Sequence, residues 1–96
     1  MKIHFESQRR DDSLDLSRQG DKLIINGQTF DFSVIPDGAT LPASAVDCEF
    51  IAGDIERIDG VLHITLLLPH GPDASQAACF PQTIINPADG PVELPV

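Results

Sequence analysis

Tryptophan and tyrosine are missing from this 96-residue chain, and phenylalanine occurs only five times. Large amphipathic rings anchor many binding hot spots and stack on sugars, so neither a Trp/Tyr-anchored interface nor a carbohydrate platform is expected. Positive charge is also scarce. Six Lys and Arg face fifteen Asp and Glu, for a net charge of −9. The imbalance is uneven: residues 1–22 cancel to zero, whereas residues 23–96 hold Arg57 alone against ten acids. Such a surface repels phosphate backbones and anionic lipid headgroups, which argues against nucleic-acid and membrane partners. Solubility is the plain explanation of the charge.

No apolar run approaches the ~18 residues of a membrane span. The N-terminus reads Met-Lys-Ile-His-Phe-Glu and then turns charged, which predicts no signal peptide. Two cysteines, Cys48 and Cys79, are a poor disulfide framework, and without an export signal reduced thiols are expected. A Cys48–Cys79 bridge is the alternative. Also missing are a Gly-x-Ser-x-Gly elbow, a glycine-rich phosphate loop, a dinucleotide fingerprint, Cys-x-x-Cys and His-x-x-x-His. No enzyme is predicted, and no cofactor or metal.

What is present is strand and turn chemistry. Asn26-Gly27 and Asp59-Gly60 supply the two positive φ angles of a type I′ hairpin, and apolar residues flank both at strand spacing. Lys2–Glu6 alternates with Ile3 and Phe5 inward, and Ser7–Asp12 reads as a loop. Ser13–Ser17 alternates around Leu14 and Leu16, Gln19-Gly20-Asp21 turns, and Lys22–Ile25 leads through Asn26-Gly27 into Gln28–Phe32. Short connections make the last three segments a three-stranded antiparallel meander. Pro36-Asp37-Gly38 is a turn, and Leu41–Ala45 suits one helical turn beginning at Pro42. Val46, Cys48 and Phe50 alternate with acids as a further strand, Gly53 marks a bulge, and Ile55–Ile58 continues to the second hairpin. Val61–Leu68 returns with Leu62, Ile64, Leu66 and Leu68 on one face. Its other face, Val61, His63, Thr65 and Leu67, is half apolar, so some cover is expected there too.

Six of the eight prolines lie at or beyond residue 69. Proline removes a ladder donor, so central strands are not expected there. Asp73–Ala78 suits a short helix capped by Asp73. Phe80–Val96 reads as an extended arm with an edge strand at Thr83–Ile85. Ile84, Ile85, Val92 and Leu94 are too apolar for a solvated tail. Together with Leu67 they are the candidate subunit or partner contacts.

Chemistry-bearing groups are few. His63 and His70 straddle the end of a strand with acids nearby, the one arrangement that suggests a ligand- or metal-binding module; the plainer reading is a half-buried strand histidine and a turn histidine. Asp54, Glu56 and Asp59 cluster on one hairpin strand, as paired catalytic carboxylates would, but an exposed charged face explains them as well. Asp11-Asp12-Ser13-Leu14-Asp15 lacks the glycine and terminal glutamate of an EF-hand loop. In Gln8-Arg9-Arg10-Asp11-Asp12, ion pairs within the loop or to a second copy compete with simple solvation.

Taken together, Gln8–Asp12, Ile25-Asn26-Gly27, Phe30–Ser33, Pro36–Pro42, Glu56–His63 and Leu68-Pro69-His70-Gly71 resemble small uncharacterised proteins of tailed phages and prophages encoded near tail genes. The resemblance covers residues 1–71 and brings no catalytic residues with it. It implies a structural or tail-assembly role in the cytoplasm of a bacterial host, with incorporation into a virion as an option.

The expected architecture is all-β. Antiparallel hairpins over residues 1–68 form a small β-sandwich or open barrel. A Pro-rich extended arm, residues 69–96, docks on that domain or on a neighbouring subunit. The expected function is non-enzymatic, through protein–protein contacts in a homo-oligomer or with other phage tail proteins.

Overall fold

A computed structural model describes residues 1–11, 13–71 and 81–94. The expected helix at Asp73–Ala78 and the thiol of Cys79 lie outside them. The described chain forms nine strands in two sheets, with no α-helix among the described residues. In chain order these are β1 (Lys2–Arg9), β2 (Leu16–Gln19), β3 (Lys22–Ile25), β4 (Gln28–Asp31), β5 (Thr40–Leu41), β6 (Ile55–Ile58), β7 (Val61–His70), β8 (Ile84–Ile85) and β9 (Gly90–Pro91). The first sheet has the order β5-β6-β7-β1-β8 and the second β4-β3-β2-β9. Neither sheet closes into a barrel among the described residues.

Both predicted hairpins form. Asn26 and Gly27 have φ of 50° and 83°, and Asp59 and Gly60 have 50° and 79°, the type I′ pattern. Asn26 also ties down the chain before β2. Its side-chain carbonyl accepts from the Asp15 N–H at 2.7 Å, while its amide donates to the Ser13 carbonyl at 3.2 Å. An aspartate could not do both. A Gly60→Val variant, with a β-branched side chain at positive φ, should lose about 1–3 kcal/mol in urea unfolding. Unchanged stability would show that this turn does not direct the hairpin.

The meander β2-β3-β4 is antiparallel as expected, with Leu16 opposite Ile25 and Leu23 opposite Phe30. Its first strand starts later than the alternation suggests, at Leu16, and Leu14 packs on the core from outside the ladder.

Lys2 onward departs from the antiparallel expectation. β1 lies outside the meander and runs parallel to β7, from Lys2 beside His63 to Arg9 beside His70. That partner draws β1 on through Ser7-Gln8-Arg9, where a loop was expected. β7 likewise continues through Pro69, against the expectation that prolines from there on exclude a central strand. Leu67 donates to Phe50 on the side of β7 away from β1. Two residues on, the missing N–H of Pro69 falls on that same side, beyond the last paired residue, so no ladder bond is lost.

The strand expected from Val46 through Phe50 does not form, and only an isolated bridge at Ile51 reaches β7. Residues 50–52 bond to β7 through Ala52 N to Thr65 O and Leu67 N to Phe50 O, bridging Ile51 to Leu66. β6 then resumes with Glu56 opposite His63. Four residues separate Ile51 from Glu56, and two separate their partners, so two extra residues bulge out around Gly53. An even number preserves the inward face, and both Ile51 and Ile55 are buried. Upstream, Ala43–Ala45 forms a single 3-10 turn behind Pro42.

Leu62, Ile64, Leu66 and Leu68 are all buried, and they alternate with half-buried Val61, His63, Thr65 and Leu67 as the sequence pattern predicts. Ile3 and Ile55 from the first sheet join Leu16, Leu23 and Ile25 from the second in one core. Phe32, Ile35, Phe50 and Ile51 complete it from the connections.

Candidate functional site

The C-terminal segment holds four of the five residues singled out as contacts. β8 adds antiparallel to β1, with Ile84 opposite Ile3 and Ile85 opposite Lys2. β9 adds to β2, with Gly90 opposite Arg18 and Pro91 opposite Ser17. The segment thus supplies one edge strand of each sheet, the position where proline is tolerated. Ile84, Val92 and Leu94 are partly buried against this chain's own core, as is Leu67 on β7. Ile85 is the exception, at 69% exposed.

Between its two strands the segment is held by side chains. Arg18 on β2 donates through Nε to the Gly20 carbonyl and through its terminal nitrogen to the Asn86 side-chain oxygen and the Pro87 carbonyl. Asp89 accepts from the Gly20 N–H at 3.0 Å. Asn86 N–H donates to the Met1 carbonyl, and Val92 N–H to the Leu16 carbonyl.

Arg57, the lone cation after residue 22, turns inward from β6 and joins the two sheets. Its Nε donates to the Ile35 carbonyl at 2.6 Å, and its terminal nitrogens reach the Phe32 and Gly60 carbonyls and the Asp21 carboxylate. The side chain is only 14% exposed, so these bonds act in a medium of low polarity. Its charge belongs to the scaffold.

Two histidines meet on the outward face of the first sheet, and they are not the pair the sequence suggests. His63 and His70 lie on one continuous strand, seven residues apart and on opposite faces, about 23 Å from each other. His63 instead faces His4 on β1, with His4 Nε2 3.4 Å from His63 Nδ1. The other nitrogen of His4, Nδ1, lies 3.1 Å from the Thr83 hydroxyl, one residue before β8. Burial, Lys2 and the His4 ring hold His63 below the usual imidazole value, against an opposite pull from Glu56. Nothing local in the sequence signals this pair, because a parallel partner fifty-nine residues away leaves no turn to read.

The other polar groups singled out in the sequence take structural positions. Arg10 pairs with Glu49 at 3.3 Å and lies over the Phe50 ring at 5.2 Å, outside its own loop. Asp54 accepts from the Ala43 N–H, Glu56 faces His63, and Asp59 occupies the hairpin turn. Among the described residues no group of three or more His, Cys, Asp or Glu is placed to hold a metal ion. Cys48 is half-buried against the core. No helix of the described residues is long and apolar enough to cross a membrane.

The chain matches no known protein family, no curated protein and no solved structure.

Proposed function

We propose that this chain is a non-enzymatic structural or assembly component of a phage or prophage tail. It works through protein–protein contacts, first with further copies of itself and then with other tail proteins, in the host cytoplasm or within a virion. The tail context rests on the resemblance over residues 1–71. The mode of contact rests on one observation: the C-terminal segment gives an edge strand to each sheet and tucks Ile84, Val92 and Leu94 against the core. A receptor that accepts the arm from its own chain accepts the same arm from a neighbour at little energetic difference, the logic of strand exchange. Exposed Ile85 marks where an exchanged arm would meet the second copy.

Light scattering tests this on the full chain. The chain should form a defined oligomer, and Ile85→Glu should weaken association about tenfold, roughly 1.4 kcal/mol, with the fold intact. Removing residues 81–96 should reduce the assembly to single chains. A full chain that stays monomeric at its solubility limit, or an oligomer indifferent to both changes, would refute the proposal.

A further inference from the structure

The contact between His4 and His63 has an unusual constraint. The ring centres are 5.7 Å apart, the planes differ by 12°, and the nearest nitrogens are 3.4 Å apart. The gap between those two distances is about what two ring centres need to reach their own nitrogens. Both nitrogens therefore lie close to the line joining the centres, and the rings meet edge to edge. One hydrogen fits on that line, donated by one ring and accepted by the other. Two do not: they would point head-on, each on a positive ring. A chelated cation suits the arrangement poorly as well, because its bonds must converge at an angle from both nitrogens.

The pair is also the root of the C-terminal segment. His4 Nδ1 contacts Thr83, and the next two residues form β8 against Ile3 and Lys2. From this arrangement we infer that His4, His63 and Thr83 form a pH-sensitive latch. It fastens the start of the C-terminal segment to the first sheet and releases it when both imidazoles hold a proton. While a single hydrogen bridges the two rings, the other nitrogen of His4 stays on the Thr83 hydroxyl. A second proton forces the rings apart, and His4 moves away from Thr83.

The surrounding charges act on His63. Lys2 flanks His63 on β1 and the α-amino group of Met1 lies nearby, both disfavouring a charged His63, while Glu56 on β6 pulls weakly the other way. Thr65 beside His4 carries no charge. The sign follows. A fold that prefers neutral His63 holds its latch fully above the free imidazole value of about 6.5. It loses that stabilisation as pH falls from there through the lower folded value. Release from this chain's own sheet does not require that the segment exchange between copies.

Nitrogen-15 NMR of the imidazoles, with amide hydrogen exchange at Asn86, reads both halves of the latch. Asn86 is the reporter because its N–H donates to the Met1 carbonyl directly after β8. In the full chain, Asn86 protection corrected for intrinsic rate should fall about fivefold between neutral pH and about pH 5, in step with the second imidazole protonation. In Thr83→Val, His63 should still titrate but Asn86 should no longer follow it. In His63→Gln, Asn86 protection should be flat across the range. Asn86 protection that ignores pH in the unaltered chain would overturn the inference, as would Thr83→Val with the coupling intact. The first of these needs no variant to fold.

Discussion

Replacing Arg57 with alanine should remove about 3 kcal/mol of unfolding free energy, of the size expected when a buried charged donor is lost and its acceptors are stranded. For a chain of this length that corresponds to a fall in Tm of roughly 15 °C. The reason lies in the acceptors. The Ile35 and Phe32 carbonyls belong to the connection between the sheets, the Gly60 carbonyl to the β6–β7 turn and the Asp21 carboxylate to the β2–β3 turn. One guanidinium reaches all four; in its absence the Phe32 carbonyl keeps the Ile35 N–H, while the Ile35 and Gly60 carbonyls and the Asp21 carboxylate lose this donor. Arg57→Lys should recover only part of the loss, because an ammonium cannot present a planar fork to divergent acceptors. Asp21→Asn, by contrast, should cost less than 1 kcal/mol, since that carboxylate is 40% exposed and solvent screens the pair. Chemical denaturation of the three variants separates the outcomes. If Arg57→Ala and Asp21→Asn cost the same, the carbonyl contacts add nothing and Arg57 is an ordinary ion pair.

Leu66→Ala should be comparably damaging, at about 3–4 kcal/mol, within the range for emptying a fully buried leucine site. Leu66 is 0% exposed and sits on β7 between β1 and the isolated bridge at Ile51. Phe5 lies beside it on the parallel side and Ile51 on the antiparallel side. Neither neighbour can swing in to fill the space, because Phe5 is fixed by the β1–β7 ladder and Ile51 by the bridge to Leu66 itself. Leu67→Ala one residue on, on the half-buried outward face, should cost clearly less. Equal costs for the two would mean that both faces of β7 are equally covered, and that the inward face is not the organising core.

Much of this was legible along the chain. Asn-Gly and Asp-Gly announce their turns because each turn is a local event decided by two backbone angles. The inward set Leu62, Ile64, Leu66 and Leu68 is legible because a strand alternates strictly. Even the bulge at Gly53 leaves a trace, since a glycine in a strand pattern has no side chain to pack. The misreadings share one cause. Ser7–Arg9 and Pro69 look unlike strand, and each becomes strand because of the other segment: Gln8 lies beside Pro69 and Arg9 beside His70. In Val46–Phe50 the alternation is good, but no partner comes alongside until Phe50. Local pattern states what a segment can do, and pairing decides whether it does.

The candidate site divides in the same way. Ile84, Ile85, Val92 and Leu94 stand out as apolar residues in a proline-rich run, so the segment could be marked as one that docks. Its receptor could not be marked, since the edges of β1 and β2 exist only once two sheets have formed. His63 was noticed beside the wrong histidine, because proximity in sequence is a poor guide across a ten-residue strand.

By itself, then, the order of residues determined that this chain is built of strands, where its two sharpest reversals fall, which side of β7 is dry, and that its surface is acidic. Those properties depend on one residue and its immediate neighbours. Folding alone decided that β1 lies parallel to β7, that Arg57 spans the sheets, that the C-terminal segment borders both of them, and that His4 meets His63. Each of those joins groups far apart in the chain, where the partner is selected by the burial and bonding of the whole core and no single stretch carries the information.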